Sequence, residues 1–359
     1  MTTSGSADAG ITGPAFSFLT TAYRSEDTLP RTIESVLAQT DPDWELVLVD
    51  NGYADAIVEA ASPYLDDPRI VLLRQENKGT TGGTMAAAAR ATGRYVVPLN
   101  SDDAVTPDFC ERVAAVFATD SAIAAVTCDA YQFVDPGEQR LARTYLQSAG
   151  LREEADGRVP LRVADVIDGP SPYYTAAIRR DVFEAAGGFD SATPLVDDLD
   201  LFLRLLITGH DVRRIPDRLG RFRVEAGSVS RPDDPARIEA FEAQREAVLS
   251  RAAETSQDPE ASAALDRVLG RLRYEQSLRR ARLAFRAGDL AGARVHLDAA
   301  RTTRRSLRLT AVRLGLRFAP GLLGAIHPTK RWLQAHLAQA RAMGLRRWLV
   351  RDRRTRRPS

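Results

Sequence analysis

The chain has 359 residues, 44% of them apolar and 27% charged, with a net charge of +1; this composition excludes an intrinsically disordered or fibrous protein and allows a large core. The charge is unevenly placed: from Arg271 to Ser359, 23 Lys/Arg stand against 4 Asp/Glu, whereas the preceding 270 residues hold 26 against 44. Two cysteines give neither a disulfide framework nor a metal spacing and fit a reducing compartment, and no apolar run approaches the ~20 residues a transmembrane helix needs.

Residues 1–14 are rich in Gly, Ser, Thr and Ala and lack a basic stretch followed by an apolar one. They read as a disordered leader, not a signal peptide, so a cytoplasmic location is expected. Ala15–Thr21 then predicts a buried strand, and Pro30 with Ile33, Val36 and Leu37 predicts a helix entered near Thr28. Trp44–Val49 is a second apolar strand, closed by Asp50-Asn51-Gly52. A helix over Asp55–Leu65, a strand over Ile70–Leu73 and a small-residue helix over Gly79–Thr92 follow. Next come a strand over Tyr95–Leu99, a helix over Pro107–Ala118 and a strand over Ala122–Cys128. This alternation argues for βαβ units and a mostly parallel sheet with helices on both faces. Right-handed crossovers gather the strand ends Thr20-Thr21, Asp50-Asn51 and Asn100-Ser101-Asp102-Asp103 along one edge, where α/β proteins bind ligands. No G-x-G-x-x-G follows the first strand, so the dinucleotide fingerprint is missing.

Gln132–Val166 is weakly patterned and receives no assignment, and Asp168–Ile178 reads as a shaped loop leading into a short strand. Arg180–Ala186 and Asp197–Ile207 predict helices, the second with three aspartates in its first turn, where acid complements the helix dipole. Val212–Ile215 and Arg221–Glu225 read as strands, with a turn at Ala226–Ser228. From residue 236 the pattern is helical, and Ala281–Ala300 looks like a helix–turn–helix. These breaks divide the chain into a leader (1–14), an α/β domain (15–235) and a helical Arg-rich region (236–359). Within that region Ala335–Val350 is amphipathic, and with Trp332, Trp348 and the final arginines it suggests peripheral contact with an anionic membrane face.

Adjacent carboxylates at a strand end, here Asp102 and Asp103, suggest a hard cation such as Mg²⁺ or Mn²⁺ with phosphate on its far side. The order and spacing of six motifs go further. Phe18-Leu19-Thr20-Thr21-Ala22-Tyr23, Val49-Asp50-Asn51-Gly52, Asn77-Lys78-Gly79, Asn100-Ser101-Asp102-Asp103, Gly187-Gly188-Phe189-Asp190 and Asp197-Asp198-Leu199-Asp200-Leu201 together resemble a family 2 glycosyltransferase, an inverting enzyme of the GT-A fold. The resemblance implies a nucleotide-sugar donor, with UDP-sugar favoured. Asp50 would accept hydrogen bonds from base or ribose, with Thr20, Thr21, Tyr23, Asn51, Lys78, Gly79 and Ser101 lining that side. It implies Asp102 as the main ligand of Mn²⁺ or Mg²⁺, with Asn100 and Asp103 beside it, and Asp198 as the general base on an acceptor hydroxyl. Tyr173, Tyr174 and Asp197 are candidates for the acceptor side, packing being the other reading of the tyrosines.

The chain departs from the family pattern at Asn51, Asn100, Thr84-Met85 and Glu225, which stand where Asp, Asp, Arg-Asn and His are common. Single-sugar transfer is expected, because the processive Gln-x-x-Arg-Trp signature is absent. The acceptor side points to a glycan or lipid-linked acceptor. The alternative reading is an inactive glycosyltransferase-like scaffold at the membrane surface. No nucleic-acid reading module accompanies the basic tail, so nucleic acid is not an expected partner.

Overall fold

The computed structural model describes residues 13–151, 159–225, 234–304 and 306–318. Residues 1–12 of the expected leader, the turn at Ala226–Ser228, and Ala335–Val350 with the final arginines lie outside the described residues.

In chain order the first half is β1 (Phe16–Ala22), α1 (Leu29–Leu37), β2 (Trp44–Asn51), α2 (Asp55–Ala61), β3 (Ile70–Gln75), α3 (Gly79–Arg90), β4 (Tyr95–Pro98), β5 (Ala104–Val105) and α4 (Phe109–Phe117). The second half of the α/β body is β6 (Ile123–Val134), β7 (Gln139–Thr144), α5 (Tyr145–Ser148), α6 (Val163–Asp168), β8 (Ala177–Arg179), α7 (Arg180–Ala185), α8 (Asp197–Ile207) and β9 (Asp211–Arg223). Then come α9 (Pro235–Ser256), α10 (Pro259–Arg286), α11 (Leu290–Thr303) and α12 (Leu307–Phe318).

Among the described residues the nine strands form one sheet in the order β3-β2-β1-β4-β8-β6-β9-β5, with β7 against β6. β3, β2, β1 and β4 are mutually parallel. β8 enters antiparallel to both β4 and β6, and β9 is parallel to β6, so six strands share one direction. The unpatterned stretch after Gln132 holds the β6–β7 hairpin, α5 and α6. The two strands expected over Val212–Glu225 are one continuous β9, whose register shifts against β6 blurred the alternation.

Side-chain alternation explains the layers. Phe16, Phe18, Leu46 and Leu48 pack with Leu29 and Ile33 of α1, Ile57 of α2 and Phe109 and Val113 of α4. Their neighbours Leu19, Val47 and Val49 pack on the other face with Ala87 of α3, Phe183 of α7 and Leu201, Phe202 and Leu205 of α8. Both faces are buried, which is why these strands read as continuous apolar runs. The alternation also decides where polar strand ends point: Thr20 and Asp50 share the α1 side, Thr21 and Asn51 the α3 side.

The first compact unit ends at Val268, and the second begins at Leu269. An end of the body at residue 235 would leave an apolar underside of α6 and α8 uncovered. Instead Val248, Leu249, Ala252 and Ala253 of α9, with Ala261, Ala264 and Val268 of α10, cover Val163, Ile167, Leu199 and Leu203. Arg251 of α9 also pairs with the buried Asp200 of α8, which Arg204 holds from the other side at 2.7 Å. In the second unit Ala281, Ala293, Leu297, Ala300, Leu309 and Leu316 form the core. Its helix–turn–helix turns at Gly288, with φ +80°, where a side chain would be strained. Asp289 caps α11 by accepting a 2.8 Å hydrogen bond from the Gly292 N–H. Among the described residues no helix is long and apolar enough to cross a membrane.

Candidate active site

The carboxyl ends of β1, β2 and β4 lie side by side, since Ala22 pairs with Asp50 and Leu19 with Pro98. Asp50 is fully buried. Its Oδ1 accepts from the Ala54 N–H at 3.1 Å and its Oδ2 from Arg74 Nε at 2.9 Å. Arg74 lies opposite Asp50 on β3 and also reaches Asp55 at 3.2 Å, so this buried carboxylate is paired from within the fold. Thr20 Oγ1 is a buried hydroxyl with no protein partner among the described residues, at the same edge and on the Asp50 side.

Asn51 serves the opposite face. Its Nδ2 donates to Asn77 Oδ1 at 3.2 Å and to the Gly79 carbonyl at 3.0 Å. Its Oδ1 accepts from Gln75 Nε2 at 2.8 Å and from the Lys78 N–H at 3.1 Å. Expected on the donor-binding side, Asn51 instead spends its amide on folding the Asn77-Lys78-Gly79 loop, and an aspartate there could not make the two donor bonds. Gly79 starts α3 with φ +73°, and Lys78 is exposed on the rim. Tyr23 is exposed too, and its ring lies against Gly52.

α3 links this edge to α8. Thr84 Oγ1 meets Thr21 Oγ1 at 3.2 Å, and a methyl at Gly83 would fall 2.2 Å from the Thr21 Cγ2, so the helix runs hard against β1. The Met85 sulfur accepts from the Phe189 N–H at 3.3 Å, seating the Gly187-Gly188 loop before α8. Thr81 Oγ1 donates to Asp197 Oδ2 at 2.6 Å. These contacts bring Asp197 and Asp198, in the first turn of α8, beside the strand ends.

Burial pushes the Asp198 carboxyl up to about 7, the negative Asp197 beside it adds to the rise, and a 2.7 Å hydrogen bond from the Leu199 N–H opposes it. Burial raises Asp197 as well, against the hydrogen bond from Thr81. A carboxyl poised near neutral pH at the amino end of a helix is suited to taking a proton from a hydroxyl.

The acidic loop after β4 separates its two carboxylates. Asp103 is buried, and both of its oxygens are engaged: Tyr174 Oη donates to Oδ2 and the Arg223 N–H to Oδ1 at 2.6 Å. Burial and the neighbouring Asp102 push its pKa well above the carboxylate range. Expected beside the metal, Asp103 is instead a pin between the loop, Tyr174 and the end of β9. Asp102 is half-buried, 38% exposed, with Arg223 Nη1 3.8 Å from its Oδ2. Burial raises its pKa and Arg223 lowers it. The Asn100 N–H donates to Tyr174 Oη at 3.3 Å, and the Ser101 carbonyl accepts from Thr28 Oγ1 at 2.9 Å.

Among the described residues no group of three or more His, Cys, Asp or Glu is arranged to hold a metal. The donors present are the Asp102 carboxylate and the neutral oxygen of Asn100. They fit a Mg²⁺ or Mn²⁺ ion only in the sparse pattern of one carboxylate with water and phosphate completing the shell. Tyr173, a candidate for the acceptor side, is fully buried among Tyr145, Tyr174 and Phe222, with Gly220 pressed against its ring. Arg74, Thr81 and Arg223 escaped sequence reasoning. Only Arg74 left a signal, a lone charge on an apolar strand directly after Leu72-Leu73.

Residues 17–185 match the family model for Glycosyl transferase family 2. The succinoglycan biosynthesis protein ExoO of Rhizobium meliloti is 31% identical over 247 residues, covering 66% of this chain and 69% of ExoO. The amylovoran biosynthesis glycosyltransferase AmsE of Erwinia amylovora is 25% identical over 217 residues, 59% of this chain and 77% of AmsE. Among solved structures, S. aureus TarS 1–349 in complex with UDP-GlcNAc matches with a TM-score of 0.54 at 15% identity, over 81% of this chain and 92% of that one. The mannosyltransferase PcManGT from Pyrobaculum calidifontis, in complex with GDP-Man and Mn2+, matches with a TM-score of 0.53 at 18% identity, over 93% of this chain and 87% of that one. At these identities the two structures bear on the fold alone, and the fold they share with this chain is GT-A.

Proposed function

The chain belongs to glycosyl transferase family 2, and on that premise we propose that it transfers a single sugar from a nucleotide-sugar donor to a hydroxyl of a glycan or lipid-linked acceptor, with inversion. The observation that carries the reading is the Thr81–Asp197 hydrogen bond, because it brings the acidic start of α8 to the edge formed by β1, β2 and β4. Membership of the family supports a nucleotide-sugar donor, and the relation to ExoO and AmsE supports a polysaccharide acceptor. We take UDP-sugar as the first donor to test.

Asp50 and the Thr20 hydroxyl, which has no partner among the described residues, are the groups assigned to the nucleoside. Asp102, with Asn100, is the group assigned to a divalent cation, Mn²⁺ or Mg²⁺, which when bound supplies Lewis-acid neutralisation of the departing diphosphate. Asp198 takes the proton of the acceptor hydroxyl as that oxygen attacks the anomeric carbon from the face opposite the diphosphate. One bond forms, the glycosidic C–O bond to the diphosphate breaks, and the electron pair leaves with the nucleoside diphosphate. A single displacement of this kind inverts the anomeric configuration. Asp197 stays with Thr81 and holds the start of α8 in place.

The Arg-rich region after residue 268 is assigned to an anionic membrane face, which would put the enzyme peripherally at the cytoplasmic side. Pelleting with anionic vesicles that salt abolishes would support this, and equal pelleting with neutral vesicles would remove it.

The test of the transfer is to titrate UDP, GDP and dTDP with and without Mn²⁺, then to measure donor turnover for wild type and Asp198→Asn. Binding of one nucleotide, with turnover lost in the variant, is the expected result. Binding without turnover over a broad acceptor panel would favour a non-catalytic binding protein. Full activity in Asp198→Asn would remove Asp198 as the base.

A further inference from the structure

Arg223 is the last residue of β9 and is built into the loop that carries Asp102. Its backbone N–H is fixed to Asp103, so main-chain position and acidic loop move together. Its guanidinium is 17% exposed and is shared among three carboxylates from three segments. Nε lies 2.8 Å from Asp135 Oδ2, and Nη1 lies 2.8 Å from Glu225 Oε2 and 3.8 Å from Asp102 Oδ2.

A second arginine braces the same place from α1. Arg31 reaches Asp135 at 3.3 Å and Glu138 at 3.6 Å, donates to the Asp102 carbonyl at 3.3 Å, and lies over the Phe133 ring at 4.6 Å. Arg221 pairs with Glu138. Three arginines thus meet Asp102, Asp135, Glu138 and Glu225. The acidic loop carries protein-borne counter-charge at its side, in a chain where Asn100 has removed one carboxylate.

A guanidinium and a divalent ion at one carboxylate repel each other, so Arg223 weakens the hold of Asp102 on an ion. Unlike an ion, Arg223 cannot leave. Its planar fork matches two phosphate oxygens at once. The contacts it holds now, to the 55% exposed Glu225 and at a long 3.8 Å to Asp102, are the ones a bound anion can replace, while the Asp135 bond anchors Nε.

We propose that Arg223 is a diphosphate-binding residue, a cation supplied by the protein beside Asp102 that lets this site hold a nucleoside diphosphate without a divalent ion. The proposal rests on the nucleotide-binding reading above and assigns Glu225 as the intramolecular competitor for the guanidinium.

The experiment is calorimetric titration of the full chain with UDP, GDP and dTDP, in EDTA and in Mn²⁺, following the tightest binder. Wild type is expected to bind in EDTA within about tenfold of its affinity in Mn²⁺. Losing one charged hydrogen-bond donor should weaken cation-free binding of Arg223→Gln about tenfold or more, with a smaller loss in Mn²⁺. Arg223→Lys should fall between, and Glu225→Gln should bind more tightly than wild type in EDTA. Binding by wild type only in Mn²⁺, or unchanged cation-free binding in Arg223→Gln, overturns this inference alone. No nucleotide binding in either condition overturns the proposed function with it. If Arg223→Gln does not fold, Glu225→Gln decides: tighter cation-free binding supports the proposal, and unchanged or weaker binding overturns it.

Discussion

Thr81 and Asp197 stand 116 residues apart in the chain and are joined by a 2.6 Å hydrogen bond between the first turns of α3 and α8. α3 begins at the loop folded by Asn51, and the proposed base, Asp198, is the second residue of α8. The bond is therefore a mechanical link between the loop that follows β3 and the first turn of α8.

Thr81→Ala should lower turnover about tenfold, on the scale of one hydrogen bond to a charged group. The sign of its pH effect separates it from simple destabilisation. Without Thr81 the half-buried Asp197 loses the hydrogen bond that holds its pKa down, so it keeps its proton to higher pH. Less negative charge then faces Asp198, whose pKa falls. The acid limb of the kcat profile should move to lower pH while the plateau drops, and Thr81→Ser should restore both. A lower plateau with an unmoved limb would make Thr81 purely structural.

Asp198 itself sets the limb. With its carboxyl at about 7, wild-type kcat/KM should fall tenfold per pH unit below that value, as the base becomes protonated. Asp198→Asn should lose roughly 10²–10⁴-fold in turnover while nucleotide affinity stays unchanged. Stability moves the other way. A carboxyl whose folded pKa is raised favours folding fully only below the unfolded value, and that favour is lost as pH rises through the folded one. The Tm of Asp198→Asn should thus gain on wild type between about pH 4 and pH 7 and keep a constant lead above. Melting curves at pH 4, 6 and 8 read this directly.

Tyr174 ties the loop that holds Asp102. Its hydroxyl donates to Asp103 and accepts from the Asn100 N–H. Tyr174→Phe removes one of the two donors to a buried carboxylate, a loss of about 1–3 kcal/mol. Tyr174 also lowers the Asp103 pKa, so its removal raises that pKa further and the ionised form suffers most. The fall in Tm should therefore be larger at pH 8 than at pH 5. An equal fall at both would mean that Asp103 stays protonated throughout.

The parallel half of the sheet and the edge that gathers its polar strand ends were legible because both faces of β1, β2 and β4 are buried and their apolar runs end in polar residues at one edge. The α8 boundaries were legible for a similar reason: three aspartates and a strong apolar stripe mark Asp197–Ile207. What could not be read was partnership. Asp102 and Asp103 are equivalent in sequence, yet one is half-exposed and the other has both oxygens taken, because Tyr174 and the Arg223 N–H arrive from segments 71 and 120 residues away. Tyr173 and Tyr174 are likewise adjacent, and only the fold puts one in the core and the other at the loop. The end of the α/β body was hidden because α9 is polar over most of its length and buries only a short patch near Val248–Ala253.

Asn51 gives the sharpest contrast between resemblance and physics. Aspartate is common at this place in the family, so Asn51→Asp is the substitution a motif comparison would call a repair. In this chain it removes both donors of the amide, to Asn77 Oδ1 and to the Gly79 carbonyl, and sets a negative oxygen against two acceptors in a buried position. Rotating the Asn77 amide does not rescue the contact, because Asn77 Oδ1 already accepts from the Gly79 N–H at 2.9 Å. The expected cost is about 1–3 kcal/mol, with weaker nucleotide binding because the start of α3 loosens. The loss should shrink as pH falls, since the introduced carboxyl recovers one donor once it is protonated. Thermal melts at pH 5 and pH 8, with UDP titrations alongside, check it; a variant as stable as wild type at pH 8 that binds UDP more tightly would return Asn51 to the donor site.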